Sequence, residues 1–215
     1  MGVIASRAEL HLALRMANPP HFFELRLDCL IGCLDELERK ASTLRAPCII
    51  TARHPAEGGA NQLSLLQRRQ VLERFLPHAK YVDLELRSHG SLSSALGPAL
   101  KKKKIVSFHD FKNTPSVVRL QAKARKAKIC GADIFKVATR TDTVAQLERL
   151  LDFVANPDVD VAISAMGIGK LGTISRIVLA QLGSVLLYGS IGRPTLPGQL
   201  SIRQLRSALS ALKIS

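Results

Sequence analysis

Residues 104–138, KIVSFHDFKNTPSVVRLQAKARKAKICGADIFKVA, contain one complete strand–helix–strand unit. The apolar, β-branched runs Lys104–His109 and Ala132–Ala138 predict two strands. The segment Pro115–Ile129 between them predicts a helix, because a proline is well placed in a first helical turn. Since parallel strands are joined by crossover helices, this unit is typical of a parallel α/β protein.

Similar units extend along the rest of the chain. The strand candidates are Val3–Ser6, Phe22–Asp28, Cys48–Arg53, Lys80–Leu86, Lys104–His109, Ala132–Ala138, Val159–Ala165 and Ser184–Ser190. The helix candidates are Glu36–Leu44, Leu63–Leu76, Pro115–Ile129, Thr143–Ala155, Ile174–Leu182 and Ile202–Leu212. Strands recur roughly every 27 residues, which fits one strand plus one helix. Eight α/β units favour a closed (β/α)8 TIM barrel over the alternative, an open doubly wound sheet. Because no Pro-, Gly- or Ser-rich linker divides residues 1–215, a single domain is expected.

The composition limits the possible partners. The 215 residues carry 31 Lys+Arg against 17 Asp+Glu, a formal net charge of +14. Basic residues are densest between Lys101 and Lys128, yet no zinc finger, helix–turn–helix or aromatic stacking motif accompanies them. No nucleic-acid partner is therefore expected, although an RNA-associated protein stays open as an alternative. A cationic surface also attracts a small anionic substrate.

The sequence predicts a cytoplasmic protein. No apolar run approaches the ~20 residues that span a bilayer, so no membrane partner is expected. Arg7 and Glu9 leave no room for the apolar stretch of a signal peptide. The four cysteines have no paired spacing, which indicates reduced thiols and no metal site.

Several strand candidates carry charges where buried parallel strands should be apolar. Period-two alternation places Glu24, Arg26 and Asp28 on one face of their strand. The corresponding polar residues of later strands are Thr51, Arg53, Asp83, Glu85, Ser107, His109 and Lys136. We expect this face to line the barrel interior. Asp28, Asp83 and Glu85 are interpreted as members of an internal ion-pair network. His109, Lys136 and the arginines lie toward the carboxyl ends of strands, where barrel active sites assemble.

These side chains suggest one chemistry. Lys136 lies in an otherwise apolar strand, where burial and neighbouring cations should lower the pKa of its amine. A neutral amine adds to a ketone or aldehyde and forms an imine, which acidifies the adjacent carbon. His109 is the expected base, oriented by Glu57. Arg53 and Arg176 offer bidentate recognition of a carboxylate. The pattern predicts imine-forming lyase or aldolase chemistry on an acidic substrate.

Ordered motifs along the whole chain resemble the type I 3-dehydroquinate dehydratases (3-dehydroquinases). The motifs are ELRLD at 24–28, TAR at 51–53, EGG at 57–59, DLEL at 83–86, SFHDF at 107–111, KVA at 136–138, MG at 166–167, SR at 175–176 and PGQ at 197–199. The resemblance implies a cofactor-free, homodimeric lyase with a single catalytic barrel domain. It would dehydrate 3-dehydroquinate to 3-dehydroshikimate in the shikimate pathway of aromatic amino acid biosynthesis.

The resemblance also implies a role for each matched residue. Lys136 would form the imine with the substrate ketone, and His109, paired with Glu57, would move the protons. Arg176 would hold the substrate carboxylate. The other implied substrate-binding residues are Ser6, Glu24, Arg26, Arg53, Met166, Tyr188, Thr195 and Gln199. Two of them depart from the family pattern, since Thr195 replaces a usual serine and Tyr188 a usual phenylalanine.

A second enzyme class stays open on the residues alone. A class I aldolase or transaldolase shares imine chemistry but is expected to have a phosphate-binding loop near the seventh and eighth strands. That region instead carries Met166, Arg176 and Gln199, which suit a carboxylate and hydroxyl groups better. The sequence is also compatible with one half of a longer bifunctional polypeptide.

Overall fold

A computed structural model describes residues 1–192, 194 and 197–212. These residues form eight parallel strands, ordered β7-β6-β5-β4-β3-β2-β1-β8, with an α-helix after each strand. The strands are β1 Gly2–Ile4, β2 Phe23–Arg26, β3 Cys48–Thr51, β4 Ala79–Glu85, β5 Lys103–Asp110, β6 Ile134–Arg140, β7 Ala162–Ile168 and β8 Gly189–Ser190. The helices are α1 Arg7–Arg15, α2 Leu34–Ala41, α3 Leu65–Phe75, α4 His89–Leu96, α5 Val117–Ile129, α6 Val144–Ala155, α7 Gly172–Gln181 and α8 Ile202–Ala211.

The two ends of the sheet meet beside β8. On one side β8 pairs with β1, with Gly2 opposite Gly189. On the other side Val185 N donates to Ile163 O of β7 at 2.9 Å, and Ser164 Oγ donates to Leu186 O at 3.0 Å. These bonds close the sheet, so the predicted (β/α)8 barrel is confirmed and the open doubly wound sheet is wrong.

Period-two alternation separates the two faces of the barrel wall. Outward side chains such as Leu25, Val82 and Phe135 are fully buried in the apolar clusters formed with the helices. The inward side chains form two levels. The apolar level consists of Phe22, Ile49, Tyr81, Ile105, Ile134 and Leu186. The polar level consists of the residues two positions further along each strand, all of them buried: Glu24, Thr51, Asp83, Ser107, Lys136 and Tyr188.

Helices α1 and α4 were not predicted. Helix α1 begins after Ser6, whose Oγ accepts from Glu9 N at 3.2 Å, while Glu9 Oε2 accepts from Ala5 N at 2.8 Å. The Ser-x-x-Glu spacing is a helix-start signal that was available in the sequence. Helix α4, HGSLSSAL, is rich in glycine and serine, which are weak helix formers. Its buried Leu92 and Leu96 show that tertiary packing stabilises it.

The strand boundaries differ most near the end of the chain. Strand β7 starts at Ala162 rather than at Val159. Val159 and Val161 instead precede the strand and pack against an outer apolar cluster. Strand β8 has only two residues, since the segment predicted to begin it makes the closing bonds described above. Within the described ranges, no helix combines the length and apolarity needed to cross a membrane.

Candidate active site

A cavity of about 280 Å³ lies inside the barrel toward the carboxyl ends of the strands. It brings together ten of the predicted site residues: Glu24, Arg26, Arg53, Glu57, His109, Lys136, Met166, Arg176, Tyr188 and Gln199. Ser6 is exposed, caps α1 and does not line this cavity, so its contact with substrate stays a prediction. Thr195 lies outside the described residues.

Lys136 is at the centre of the polar level. Its Nζ donates to Asp83 Oδ2 at 2.9 Å and to Glu24 Oε1 at 3.0 Å, and it lies 4.2 Å from the ring centroid of Tyr188. Burial alone would lower the pKa of this amine, but the charges of Asp83 and Glu24 outweigh burial and raise it above its ordinary value. The expectation of a lowered pKa and an uncharged amine is therefore wrong. In the ligand-free protein, Lys136 is an ammonium group.

Asp83 joins Lys136 to a second buried cation. Its Oδ2 accepts from Arg53 Nη2 at 3.0 Å, and its Oδ1 accepts from Ser107 Oγ at 2.5 Å. Although burial alone would raise the pKa of Asp83, Arg53 and Lys136 hold it far below its usual range. Asp83 is thus part of the predicted ion-pair network, but it also contacts the candidate nucleophile, which the sequence interpretation missed.

The other two network carboxylates have different partners. Asp28 is held bidentately by Arg26, with Nε at 3.0 Å and Nη2 at 2.8 Å, as predicted. Glu85 pairs with Arg68 of α3, accepts from His54 N at 2.8 Å and also lies 3.7 Å from Arg53 Nη1. Arg68 is 2% exposed. Several polar residues adjoin it on α3, so its sequence position gave no sign that this arginine turns inward.

His109 and Glu57 form a hydrogen-bonded pair at the cavity. Glu57 Oε2 lies 2.9 Å from His109 Nδ1 and accepts from His109 N at 3.1 Å. Burial, reinforced by the charges of Arg53 and Lys136, keeps the pKa of His109 well below its ordinary value. Burial and the nearby Glu85 carboxylate raise the pKa of Glu57 to about 7. His109 is therefore a neutral imidazole with a titrating carboxyl group against one nitrogen, an arrangement suited to general-base chemistry.

Arg176 on α7 has spare hydrogen-bonding capacity. Its Nη1 donates to Gly172 O and to Gly198 O, both at 2.7 Å. Its buried Nε has no hydrogen-bond partner, and no carboxylate pairs with the guanidinium, among the described residues. Burial lowers the pKa of Arg176 to about 10, so the group stays charged at neutral pH. A buried cation with an unused donor at a cavity is suited to bind an anion.

Several residues that line the cavity were missed. Ala138, Phe111 and Ile168 each follow a predicted site residue by two positions, so one further step of the strand alternation identifies them. The Phe111 ring stacks on the His109 ring, with centroids 6.4 Å apart. Across the described ranges, no group of three or more His, Cys, Asp or Glu side chains is placed to hold a metal ion.

Known proteins resemble this chain in sequence and in fold. The model of the type I 3-dehydroquinase family matches residues 4–215. A 3-dehydroquinate dehydratase of Methanothrix thermoacetophila is 32% identical over 212 residues, covering 97% of this chain and 86% of the relative. The crystal structure of the Aquifex aeolicus 3-dehydroquinate dehydratase superposes with a TM-score of 0.78 at 26% identity, covering 95% of this chain and 92% of that one.

A structure of slightly lower sequence identity superposes with a higher TM-score. The crystal structure of the Geobacillus kaustophilus 3-dehydroquinate dehydratase gives a TM-score of 0.84 at 24% identity, covering 99% of this chain and 90% of that one. The family match spans all eight strands except the first residues of β1, and it includes the cavity residues described above. The chain therefore belongs to the type I 3-dehydroquinase family.

Proposed function

We propose that this chain dehydrates 3-dehydroquinate, the reaction of its family, through an imine between the substrate ketone and Lys136. The observation that carries this proposal is a buried amine that lines the cavity together with a neutral imidazole. Membership of the family decides against the aldolase or transaldolase alternative. The scheme uses no cofactor.

The first step requires Lys136 to lose a proton. Glu24 Oε1 and Asp83 Oδ2 lie within 3.0 Å of Nζ and are the adjacent acceptors. The free amine adds to the ketone carbon, and the carbonyl oxygen leaves as water after gaining two protons. The product is a protonated imine, which draws electrons from the neighbouring carbon.

His109 performs the next two proton transfers. Its free nitrogen removes a proton from the carbon beside the imine, and the C–H electron pair forms an enamine. The enamine then expels the hydroxyl group of the next carbon, which leaves as water after His109 returns the proton. Glu57 orients the imidazole through Nδ1, 2.9 Å from its Oε2. Water finally hydrolyses the conjugated imine and regenerates Lys136.

Arg176 binds the substrate carboxylate in this proposal. The support is its unpartnered Nε at the cavity, because a buried guanidinium donor gains most from a charge-assisted bond. Arg26, Arg53, Glu24 and Gln199 surround the ring hydroxyl groups. Met166 and Tyr188 form apolar walls, and contacts by Ser6 and Thr195 remain predictions.

Borohydride trapping tests the imine. Borohydride added during turnover should reduce the imine and add the mass of the ligand to Lys136, located by peptide mass spectrometry. Lys136→Met should abolish both the adduct and the ultraviolet absorbance of the conjugated enone product. Lys104→Met removes a partly buried lysine of β5 outside the cavity and should retain both. An active wild-type enzyme with no label on Lys136 would contradict the proposal.

We also propose that residues 1–215 act as one catalytic domain in a cytoplasmic homodimer without a nucleic-acid partner. The support is the family resemblance together with the even match along the chain. Light scattering of the purified protein measures the oligomeric state, and a monomeric mass would contradict the dimer.

A further inference from the structure

The hydroxyl group of Tyr188 is buried without a hydrogen-bond partner. The side chain is 4% exposed, and among the described residues its oxygen makes no hydrogen bond of normal length. The polar group beside it is the Lys136 ammonium, which has no lone pair to accept the hydroxyl proton. Buried polar groups are nearly always satisfied, because an unmade hydrogen bond costs stability. A buried polar group without a partner therefore needs an explanation. One explanation is a ligand that supplies the missing hydrogen-bond partner.

The surroundings of Tyr188 point to where that ligand atom lies. The residue lines the same cavity as Lys136, His109 and Arg176. The Lys136 Nζ is 4.2 Å from the centroid of its ring. A substrate carbon that bonds to Nζ therefore comes close to this side chain. Burial raises the pKa of the Tyr188 phenol, so its oxygen keeps a proton that it can donate.

The other hydroxyl groups around Lys136 are already used. Ser107 Oγ donates to Asp83 at 2.5 Å, and Thr51 Oγ1 donates to Glu24 at 2.9 Å. Ser164, which is in register with Lys136 on the next strand, donates to the Leu186 carbonyl at 3.0 Å. Among the described residues that line the cavity, Tyr188 carries the one hydroxyl group, and its proton has no protein acceptor.

We propose that Tyr188 is a further catalytic residue, whose hydroxyl donates a hydrogen bond to the substrate ketone oxygen while Lys136 adds to the carbonyl carbon. As the N–C bond forms, the π pair of the carbonyl moves onto oxygen, and the hydrogen bond stabilises the charge that develops there. Tyr188 keeps its own proton, since the proton lost by the nitrogen neutralises this oxygen. The inference rests on the proposed imine mechanism.

A wall of the cavity does not need this oxygen. A phenylalanine at this position would offer the same ring to Lys136. The hydroxyl is thus either idle or used by the ligand, and the variant Tyr188→Phe, which removes only the oxygen, separates the two possibilities.

Three measurements on Tyr188→Phe test the inference: the single-turnover rate of borohydride-trapped imine, kcat, and the melting temperature. We expect imine formation to slow by about a hundredfold to a thousandfold, as for the loss of one oxyanion donor. The melting temperature should stay the same or rise, because no protein partner loses a bond. The control is Tyr81→Phe, which alters the chain's other tyrosine, at the apolar level and outside the cavity.

Each outcome separates the inference from the proposed function. An imine-formation rate within twofold of wild type in Tyr188→Phe would overturn the role of the hydroxyl while leaving the imine mechanism intact. A slower rate accompanied by a lower melting temperature would also overturn it, since the oxygen would then be structural. Failure to trap any imine in the active wild-type enzyme would instead contradict the proposed function itself.

Discussion

The apolar and polar levels of the barrel interior are two residues apart on the same strands, yet their side chains have different roles. At the apolar level, Ile105 and Ile134 pack into a continuous cluster. At the polar level, Lys136, Asp83 and Glu24 place three charges within 3.0 Å contacts. Both levels face inward by the same alternation, so the position along the strand determines whether an inward residue serves packing or chemistry.

The charged level is tolerated because its charges are paired. Burying an isolated charge is costly, whereas a network that satisfies each ion costs far less. Asp83 accepts hydrogen bonds from Arg53, Lys136 and Ser107. Removing any one of these groups therefore leaves part of the cost of burying the others uncompensated. At the apolar level no buried charge depends on a partner, so the effect of a substitution there should stay local.

After the complete loss of turnover expected for Lys136→Met, the largest effect is expected for His109→Ala. Loss of the base should lower kcat by about 10²- to 10⁴-fold. Imine trapping on Lys136 should persist, because the elimination comes after imine formation. Stopped-flow absorbance and borohydride labelling measure the two steps separately. His21→Ala removes an exposed histidine outside the cavity and should behave as wild type. Unchanged turnover in His109→Ala would identify a different base.

Asp83→Asn should cost the most stability. Arg53 and Lys136 would lose the carboxylate that they share, and breaking such a buried pair costs about 3–5 kcal/mol of unfolding free energy. Urea titration measures the loss. Asp158→Asn, which removes a more exposed ion pair with Arg125, should cost less than about 1 kcal/mol. Similar losses of unfolding free energy in the two variants would show that the stability of the polar level does not depend specially on its ion pairs.

Ile105→Ala tests the apolar level of the same barrel. Ile105 is fully buried, and its truncation should cost about 2–4 kcal/mol of unfolding free energy through the cavity left behind. We expect kcat to stay within about twofold of wild type, because Ile105 does not line the catalytic cavity. A large fall in kcat without loss of stability would mean that the two levels are coupled.

Arg176→Gln should act mainly on substrate binding. Loss of the guanidinium donor is expected to raise KM by about tenfold to a hundredfold, with a smaller change in kcat. Steady-state kinetics measure both constants. Arg119→Gln removes one exposed positive charge from α5 and controls for the net charge. An unchanged KM would remove Arg176 from the carboxylate site.

Among the variants of cavity residues, Glu57→Gln should produce the smallest loss of kcat/KM and should also change the pH profile. The pKa of Glu57 is raised to about 7, so its carboxylate form is populated above that pH and lost below it. Wild-type kcat/KM should therefore fall as the pH drops through about 7. In Glu57→Gln this inflection should disappear, with kcat lowered about tenfold. An inflection that persists in the variant would belong to another group.

Much of the barrel could be predicted from the sequence, because strand alternation and the strand-plus-helix repeat are local patterns. The failures have local causes as well. Helix α4 has weak propensity and depends on the burial of Leu92 and Leu96. The apolar valines before β7 resemble strand residues although they pack as a loop.

The site was predictable as a set of residues but not as a set of contacts. Strand alternation identified five of the ten predicted residues that line the cavity, namely Glu24, Arg26, Arg53, His109 and Lys136. The other five came from the matched motifs and the roles that the family resemblance implies. Lys136 contacts Asp83 and Glu24 of strands that are not its neighbours in the sheet, at sequence separations of 53 and 112 residues. No local pattern specifies such contacts across the barrel, and they reverse the expected direction of the pKa of Lys136.

The two carboxylates that hold Lys136 as an ammonium have a protective consequence. An ammonium nitrogen has no lone pair, so it does not react with carbon dioxide, reducing sugars or stray aldehydes. If Lys136 is the nucleophile proposed above, the resting enzyme thereby shields it from common cellular electrophiles. In the proposed mechanism, the amine becomes reactive once its proton passes to Asp83 or Glu24, which lie within 3.0 Å of it.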